Sequence, residues 1–201
     1  MDIISKASGV SVKDVKKVLK ETCNIIEDNE ISQKLIELFK IDEIQKEYSI
    51  IEGVTDVFTD GSCINNKKGN PAGWAVLFPS IEYHNASGIV ANGTNNVGEL
   101  TAIAKAIEIA NYNDIDNIRL FSDSEYAINS ATKWIKGWKR NGWKKKCGGD
   151  VKNKEIMIAI DNAIMQKNIK IEFVHINSHT GGNDYVSVNN DKVDKMARSA
   201  L

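Results

Sequence analysis

Val54-Thr55-Asp56-Val57-Phe58-Thr59-Asp60-Gly61-Ser62 and Asn117-Ile118-Arg119-Leu120-Phe121-Ser122-Asp123-Ser124 share one layout: a β-type run that closes on an aspartate followed by small residues. Two further runs of the same texture follow the first, Gly73 to Phe78 and the weaker Tyr83 to Val90. Three closely spaced strands predict an antiparallel meander. Beyond it, helical stretches alternate with strands: Gly98 to Ala110, the strand Asn117 to Phe121, Glu125 to Lys136, Lys154 to Gln166, the strand Ile169 to Ile176, and a closing helix from about Asn190 to Ala200. Strands separated by helices run parallel to one another. The order therefore predicts an α/β fold over residues 54–201, a five-stranded mixed sheet of meander plus parallel strands flanked by helices.

Residues 1–53 read differently. Val12, Val15, Val18 and Leu19 behind Ser11, and Ile31, Leu35, Ile36, Leu38 and Phe39 behind Asn29, predict two short helices, with residues 42–53 as a charged connector. The chain thus divides into a helical N-terminal extension with linker, 1–53, and one domain, 54–201. With 201 residues, 42% of them hydrophobic, there is material for one ordinary core and something small beside it. No apolar run approaches the roughly 20 residues a membrane span needs, and the start lacks the layout of a secretory signal. A soluble, intracellular protein of cytoplasm or nucleus, monomeric and without a membrane partner, is expected. Cys23, Cys63 and Cys147 are odd in number and far apart, which argues against disulfides and zinc sites.

Charge is unevenly spread. Between Lys133 and Lys154 stand nine basic residues against one acid, a local balance of +8 in a chain whose total is −1. Trp134, Trp138 and Trp143, three of the four tryptophans, are interleaved with these lysines. Cations mixed with aromatics suit a surface that pairs phosphates and packs on sugars, so a polyanion bound at one place is expected. Trp138 is the residue read as touching it, with Trp134 and Trp143 as anchors of the segment. Four acids also have unusual settings: Asp60 at a strand end before a sharp turn at Gly61-Ser62, Glu99 in a first helical turn, Asp123 at a strand end, and Asp194 in the last helix. Singly, each has an ordinary explanation as a turn or helix-dipole residue. If Asp60 and Asp123 end adjacent parallel strands, strand spacing puts their carboxylates roughly 5–8 Å apart. Like charges so close need cations between them. Hard divalent ions, Mg²⁺ foremost, suit carboxylate ligands, and two of them about 4 Å apart serve in-line phosphodiester cleavage.

Val57 to Ser62, Thr94-Asn95-Asn96-Val97-Gly98-Glu99-Leu100, Phe121 to Tyr126, the Trp134 to Lys144 run and Asp194-Lys195-Met196-Ala197-Arg198 together resemble the type 1 ribonuclease H family, in order, over about residues 54–201. The resemblance implies a ribonuclease H-like fold and an endoribonuclease that hydrolyses the RNA strand of RNA-DNA hybrids with two Mg²⁺ ions, Mn²⁺ being a substitute. It implies Asp60, Glu99, Asp123 and Asp194 as metal-binding catalytic carboxylates, Asp191 being the rival for the last. His179 matches the family's mobile histidine for proton transfer or product release. The basic segment, with Trp138, Lys139 and Lys144, matches the part that holds the DNA strand, and Tyr126 an aromatic of the same channel. Asn153 and Thr94 match positions gripping a DNA phosphate, and Asn66, Asn95 and Asn96 match residues that read the RNA minor groove.

Two features depart from the pattern. His179 and Asp194 are 15 positions apart, more than in most relatives, which leaves room for displacement of the histidine. The N-terminal segment, weakly similar to a helix-turn-helix between Ile4 and Leu19 but net −3 over residues 1–53, is open between a contact for nucleic acid and an appendage for packing or protein contact. Two rival functions also stand: a transposase or integrase-type nuclease on a related fold, and a non-catalytic hybrid-binding module.

Overall fold

Side chains alternate between the two faces of a strand, and here that alternation divides the apolar residues into two cores. The computed structural model describes residues 53–66, 69–178 and 181–201; the helices expected before residue 53, and His179, lie outside the described residues. The strands are β1 (Thr55–Cys63), β2 (Asn70–Leu77), β3 (Ala86–Gly93), β4 (Asn117–Ser122) and β5 (Lys170–His175), and the helices α1 (Asn95–Tyr112), α2 (Glu125–Asn129), α3 (Ile135–Arg140), α4 (Lys154–Lys167) and α5 (Tyr185–Ser199). The five strands form one sheet in the order β3-β2-β1-β4-β5. Pairs β1–β2 and β2–β3 are antiparallel, and β1–β4 and β4–β5 parallel, which is the mixed sheet the sequence predicts. Val57, Val76, Phe78, Ile118 and Leu120 meet Leu100, Ile103 and Ile107 of α1 and Met157 and Ile160 of α4. On the opposite face Phe58, Ala75, Leu77 and Phe121 meet Val186, Val193 and Ala197 of α5. Among the described residues no helix is long and apolar enough to cross a membrane.

Four local expectations are corrected. β1 does not turn away at Asp60: it stays paired with β2 through Gly61↔Trp74 and Ser62↔Gly73 as far as Cys63↔Ala72. Helix α1 begins at Asn95, not Gly98, because Thr94 with extended backbone already accepts from Val97 and Gly98 N–H, so Glu99 stands one turn inside the helix. The stretch Glu125 to Lys136 is not one helix. It widens to a π turn at Ser130–Trp134, where Ile135 N–H reaches Ser130 O, before α3. Helix α5 starts at Tyr185, ahead of Asn190, because Asp184 Oδ1 caps it by accepting from Val186 N (3.1 Å) and Ser187 N (3.0 Å). The long interval between His179 and Asp194 is therefore taken up largely by helix.

Where α1 and α5 meet the sheet, the contact is backbone against backbone. A Cβ on Gly61 would lie 2.0 Å from Glu99 N, and one on Gly98 would lie 2.4 Å from Gly73 O and 3.0 Å from Gly61 Cα. On the other face a Cβ on Gly73 would lie 2.2 Å from Ala197 O. Absent side chains thus let both helices approach the sheet at the end where the acids stand. Because the atom opposite Gly61 is backbone, Gly61→Ala can be accommodated only by moving α1. Overpacking typically costs about 1–3 kcal/mol, so a loss of about 2 kcal/mol or more is expected, read as a lower urea midpoint with an unchanged slope. A midpoint equal to that of the unaltered protein would contradict the close contact.

Candidate active site

The β1–β4 pair carries two registered rungs on its α5 face, with two acids beyond them. In the first, Asp56 is paired in register with Arg119, and the guanidinium donates from Nε to Asp56 Oδ1 (2.8 Å) and from Nη2 to Oδ2 (2.9 Å). Both residues are buried, and Tyr185 of α5 donates its hydroxyl to Asp56 Oδ2 at 3.1 Å. Burial and the Asp56 carboxylate hold the Tyr185 hydroxyl well above the ordinary tyrosine range. In the second rung Phe58 stacks on Phe121, ring centroids 4.5 Å apart, with Arg119 over the Phe121 ring and the Tyr185 edge against Phe58. Two residues beyond Phe58 comes Asp60, still inside β1, and two beyond Phe121 comes Asp123, just past the end of β4.

There one carboxylate oxygen each from Asp60, Glu99 and Asp123 lies within 4.8 Å of the others, slightly closer than strand spacing alone suggests. Asp60 and Glu99 are only 6% and 7% exposed, and Glu99 Oε2 is buried without a hydrogen-bond partner. Burial first, then the charges of Asp123 and Asp194, push the Asp60 carboxyl up to about 7. Burial and the neighbouring Asp60 and Asp123 charges hold Glu99 well above the usual carboxylate range. A cluster of hard oxygen donors that resists carrying its own charge, with one buried oxygen unsatisfied, fits a divalent cation.

The fourth acid is placed differently. Asp194 sits on α5, and both its oxygens are engaged by Arg198 one turn on. It lies outside the group of three, although its charge still reaches Asp60. Asp191 is half-buried one turn nearer the helix start. His175, which sequence reading passed over, ends β5 with Nε2 at 3.2 Å from the Asp123 carbonyl oxygen. Its only signal was its position beside Ser122 in the parallel register.

The residues assigned to nucleic acid fall into three places. Thr94 is the N-cap of α1 but makes no capping bond, and its hydroxyl is buried without a partner; Asn95 and Asn96 open the same helix, and Asn66 ends a short turn after β1. Asn153, the left-handed N-cap of α4, donates to the Tyr126 hydroxyl at 3.4 Å, so those two are brought together. Tyr126 in turn packs against Trp134, and Trp134 against Trp138. Trp134, Trp138, Lys133, Lys136, Arg140, Asn141 and Lys144 to Lys146 line an open groove of about 860 Å³. Trp138 and Trp143 are half-buried against the larger core, whereas Trp134, read from sequence as an anchor, is 41% exposed. Lys139 leans away to Asp161 of α4 (2.7 Å), and Lys144 pairs with Asp150 across a tight loop (2.7 Å). Both lysines remain solvent-accessible, so these pairs are weak and exchangeable.

The electrostatics of the cluster have a sign that can be checked. The folded chain holds a proton on Asp60 that the unfolded chain, at the ordinary 3.8, has released. Stability from this group therefore falls as pH rises from about 4 to about 7 and stays low above that. In chelator near pH 8, Asp60→Asn should melt higher than the unaltered protein, by on the order of 2–8 °C, with the gap closing near pH 4. Added Mg²⁺ should raise the unaltered protein and narrow the difference. A gap that does not change with pH would show that the cluster is not charge-strained.

Comparison with known proteins places this geometry. The sequence profile of the RNase H family matches residues 52–201. The human protein named Ribonuclease H1 is 34% identical over 144 residues, 71% of this chain and 48% of its own length. The Ribonuclease H of Tropheryma whipplei strain Twist is 37% identical over 142 residues, 71% of this chain and 81% of its own. The chain spans about half the length of the mammalian relatives it matches. Among solved structures, LC9-RNase H1, described as a type 1 RNase H with the type 2 active-site motif, superposes with a TM-score of 0.59 at 21% identity, over 76% of this chain and 74% of its own, a likeness of fold. With the profile covering the whole sheet, the three-carboxylate cluster and the basic groove, the chain belongs to the RNase H family.

Proposed function

We propose that this protein is an endoribonuclease that hydrolyses the RNA strand of RNA-DNA hybrids with two divalent ions, Mg²⁺ foremost, leaving a 3′-hydroxyl and a 5′-phosphate. The observation that carries the reading is the convergence of Asp60, Glu99 and Asp123 within 4.8 Å in a chain that also bears a tryptophan- and lysine-lined groove. The names of the relatives, Ribonuclease H1 and Ribonuclease H, support it. Asp60, Glu99 and Asp123 would hold the ions, with Asp194 completing the set. Bound divalent ions would supply an activated water and a counter-charge for the leaving oxygen.

The rest falls to the chain's own residues. Trp134 and Trp138 offer ring faces and the surrounding lysines offer charge to one phosphate backbone, a combination that is tolerant of sequence. The Thr94 hydroxyl, lacking a partner inside the protein, and the Asn153 side chain are free of capping duty and suit a DNA phosphate. Asn95 and Asn96, at the start of α1, and Asn66 are assigned to the 2′-hydroxyl, which both donates and accepts. His179 is assigned proton transfer or product release.

The decisive assay is incubation with labelled hybrid, duplex RNA and duplex DNA, each with Mg²⁺ and with chelator. Cleavage of the hybrid's RNA strand only, abolished by chelator, is expected; cutting of plain duplex DNA would move the reading to a transposase or integrase-type nuclease. Asp123→Asn should leave fold and hybrid affinity nearly intact and abolish cleavage, since an amide of the same shape cannot supply the charge that holds a cation. A variant retaining a tenth of the rate, little over about 1 kcal/mol of barrier, would contradict the assignment. Replacing Lys144, Lys145 and Lys146 by alanine should weaken hybrid binding and flatten its salt dependence by up to about three counterions. An unchanged salt slope would mean that this loop does not meet phosphate.

A further inference from the structure

We propose that Arg198 is a built-in counter-cation that occupies the fourth carboxylate, Asp194, and must release it before a second divalent ion can use it. The inference rests on reading the acidic cluster as a metal centre. Three of the four acids converge without Asp194, so the fourth is set apart, and what sets it apart is visible: Arg198 donates from Nε to Asp194 Oδ1 at 2.7 Å and from Nη2 to Oδ2. A guanidinium fork matches a carboxylate atom for atom and neutralises it, which a single ammonium does less completely.

The pair is not an incidental ornament of the helix surface. The Asp194 side chain is only 18% exposed whereas that of Arg198 is 57% exposed, so the carboxylate faces inward and the guanidinium closes over it from outside. The two also belong to the cluster's field. Asp194 raises the Asp60 carboxyl, and Arg198 feels both Asp60 and Asp191. Arg198 therefore sits where an incoming cation would have to sit to engage Asp194 oxygens, and the two compete for one charge. Its exposed stem can swing into water without disturbing the core, so the latch is openable.

An asymmetry follows. Asp60, Glu99 and Asp123 converge on a first ion without Asp194, whereas an ion that needs Asp194 must displace the Arg198 charge already paired with it. The weaker of two binding phases should depend on Arg198, and the tighter should not. An exposed ion pair is worth a factor of about two to five in an equilibrium, which sets the size of the effect.

The test titrates the full chain with Mn²⁺ without nucleic acid, reading free ion by its paramagnetic resonance signal, with circular dichroism confirming the fold. Arg198→Gln should tighten the weaker phase about two- to fivefold and leave the tighter phase unchanged. Arg198→Lys, which keeps the charge and loses the fork, should fall between. Lys195→Gln removes the same charge from an exposed neighbour on the same helix and should tighten the weaker phase less than Arg198→Gln does. A weaker phase that Arg198→Gln leaves unchanged, or one that Lys195→Gln tightens equally, would overturn the latch while the metal centre stands. A chain that binds no ion at all would remove the metal centre and the latch with it.

Discussion

Three carboxylates within 4.8 Å, two of them almost wholly buried, form an arrangement that works against itself. Each lowers the others' tendency to ionise, and burial removes the water that would screen them. Burial first, then the neighbouring charges, holds the Asp60 and Glu99 carboxyls above the usual carboxylate range. A chain free to relax would spread these side chains into solvent. That it does not means the backbone holds them, and most of the architecture near the site can be understood as the means.

The means are of two kinds. Along the sheet, β1 and β4 are tied on one face by the Asp56–Arg119 pair and the Phe58–Phe121 stack, both in register, two residues short of Asp60 and Asp123. The buried ion pair is itself satisfied on both sides, by two parallel hydrogen bonds and by Tyr185. That matters because a buried charge left unpaired is among the most destabilising features a core can contain. Across the sheet, Gly61, Gly98 and Gly73 let α1 and α5 touch backbone. Without Gly61, Glu99 could not stand beside Asp60. Tyr185 links the two devices: it fastens the first turn of α5, the helix that carries Asp194, to the ion pair at the far end of β1.

Much of this was legible in the sequence. Two β-type runs closing on aspartate, and the alternation of helix and strand after the meander, gave the strand types and the parallel direction of the later strands; that β1 and β4 are neighbours, the condition for Asp60 and Asp123 to approach, is met by the observed strand order. What escaped reading depended on partners distant in the chain. Gly61-Ser62 has the composition of a turn, and only the need of β2 for a pairing partner keeps it in the strand. The polar run from Asp184 to Asn190 resembles a loop, yet the Asp184 cap and the bond from the Asn189 side chain to Tyr185 O make it helix. Trp134, read as an anchor, is 41% exposed and packs on Tyr126 and Trp138, neighbours that the spacing of the tryptophans in the chain does not show.

Charge separation between the two halves of the functional surface follows from the same constraint. The groove between Lys133 and Lys146 is basic and the cluster is acidic, so on the proposed reading a polyanion is drawn to the one and repelled by the other. The groove and the cluster are built from different residues, so on the proposed reading binding strength and admission to the centre are set by different side chains. On the proposed reading the lysines hold the nucleic acid wherever cations happen to be, while the centre admits a phosphate only after its negative charge has been met. Arg198 supplies part of that charge from within the protein. Were divalent ions bound there, they would be a condition of substrate entry as well as of reaction, and the carboxylates that repel one another would favour a phosphate that arrives with its cations.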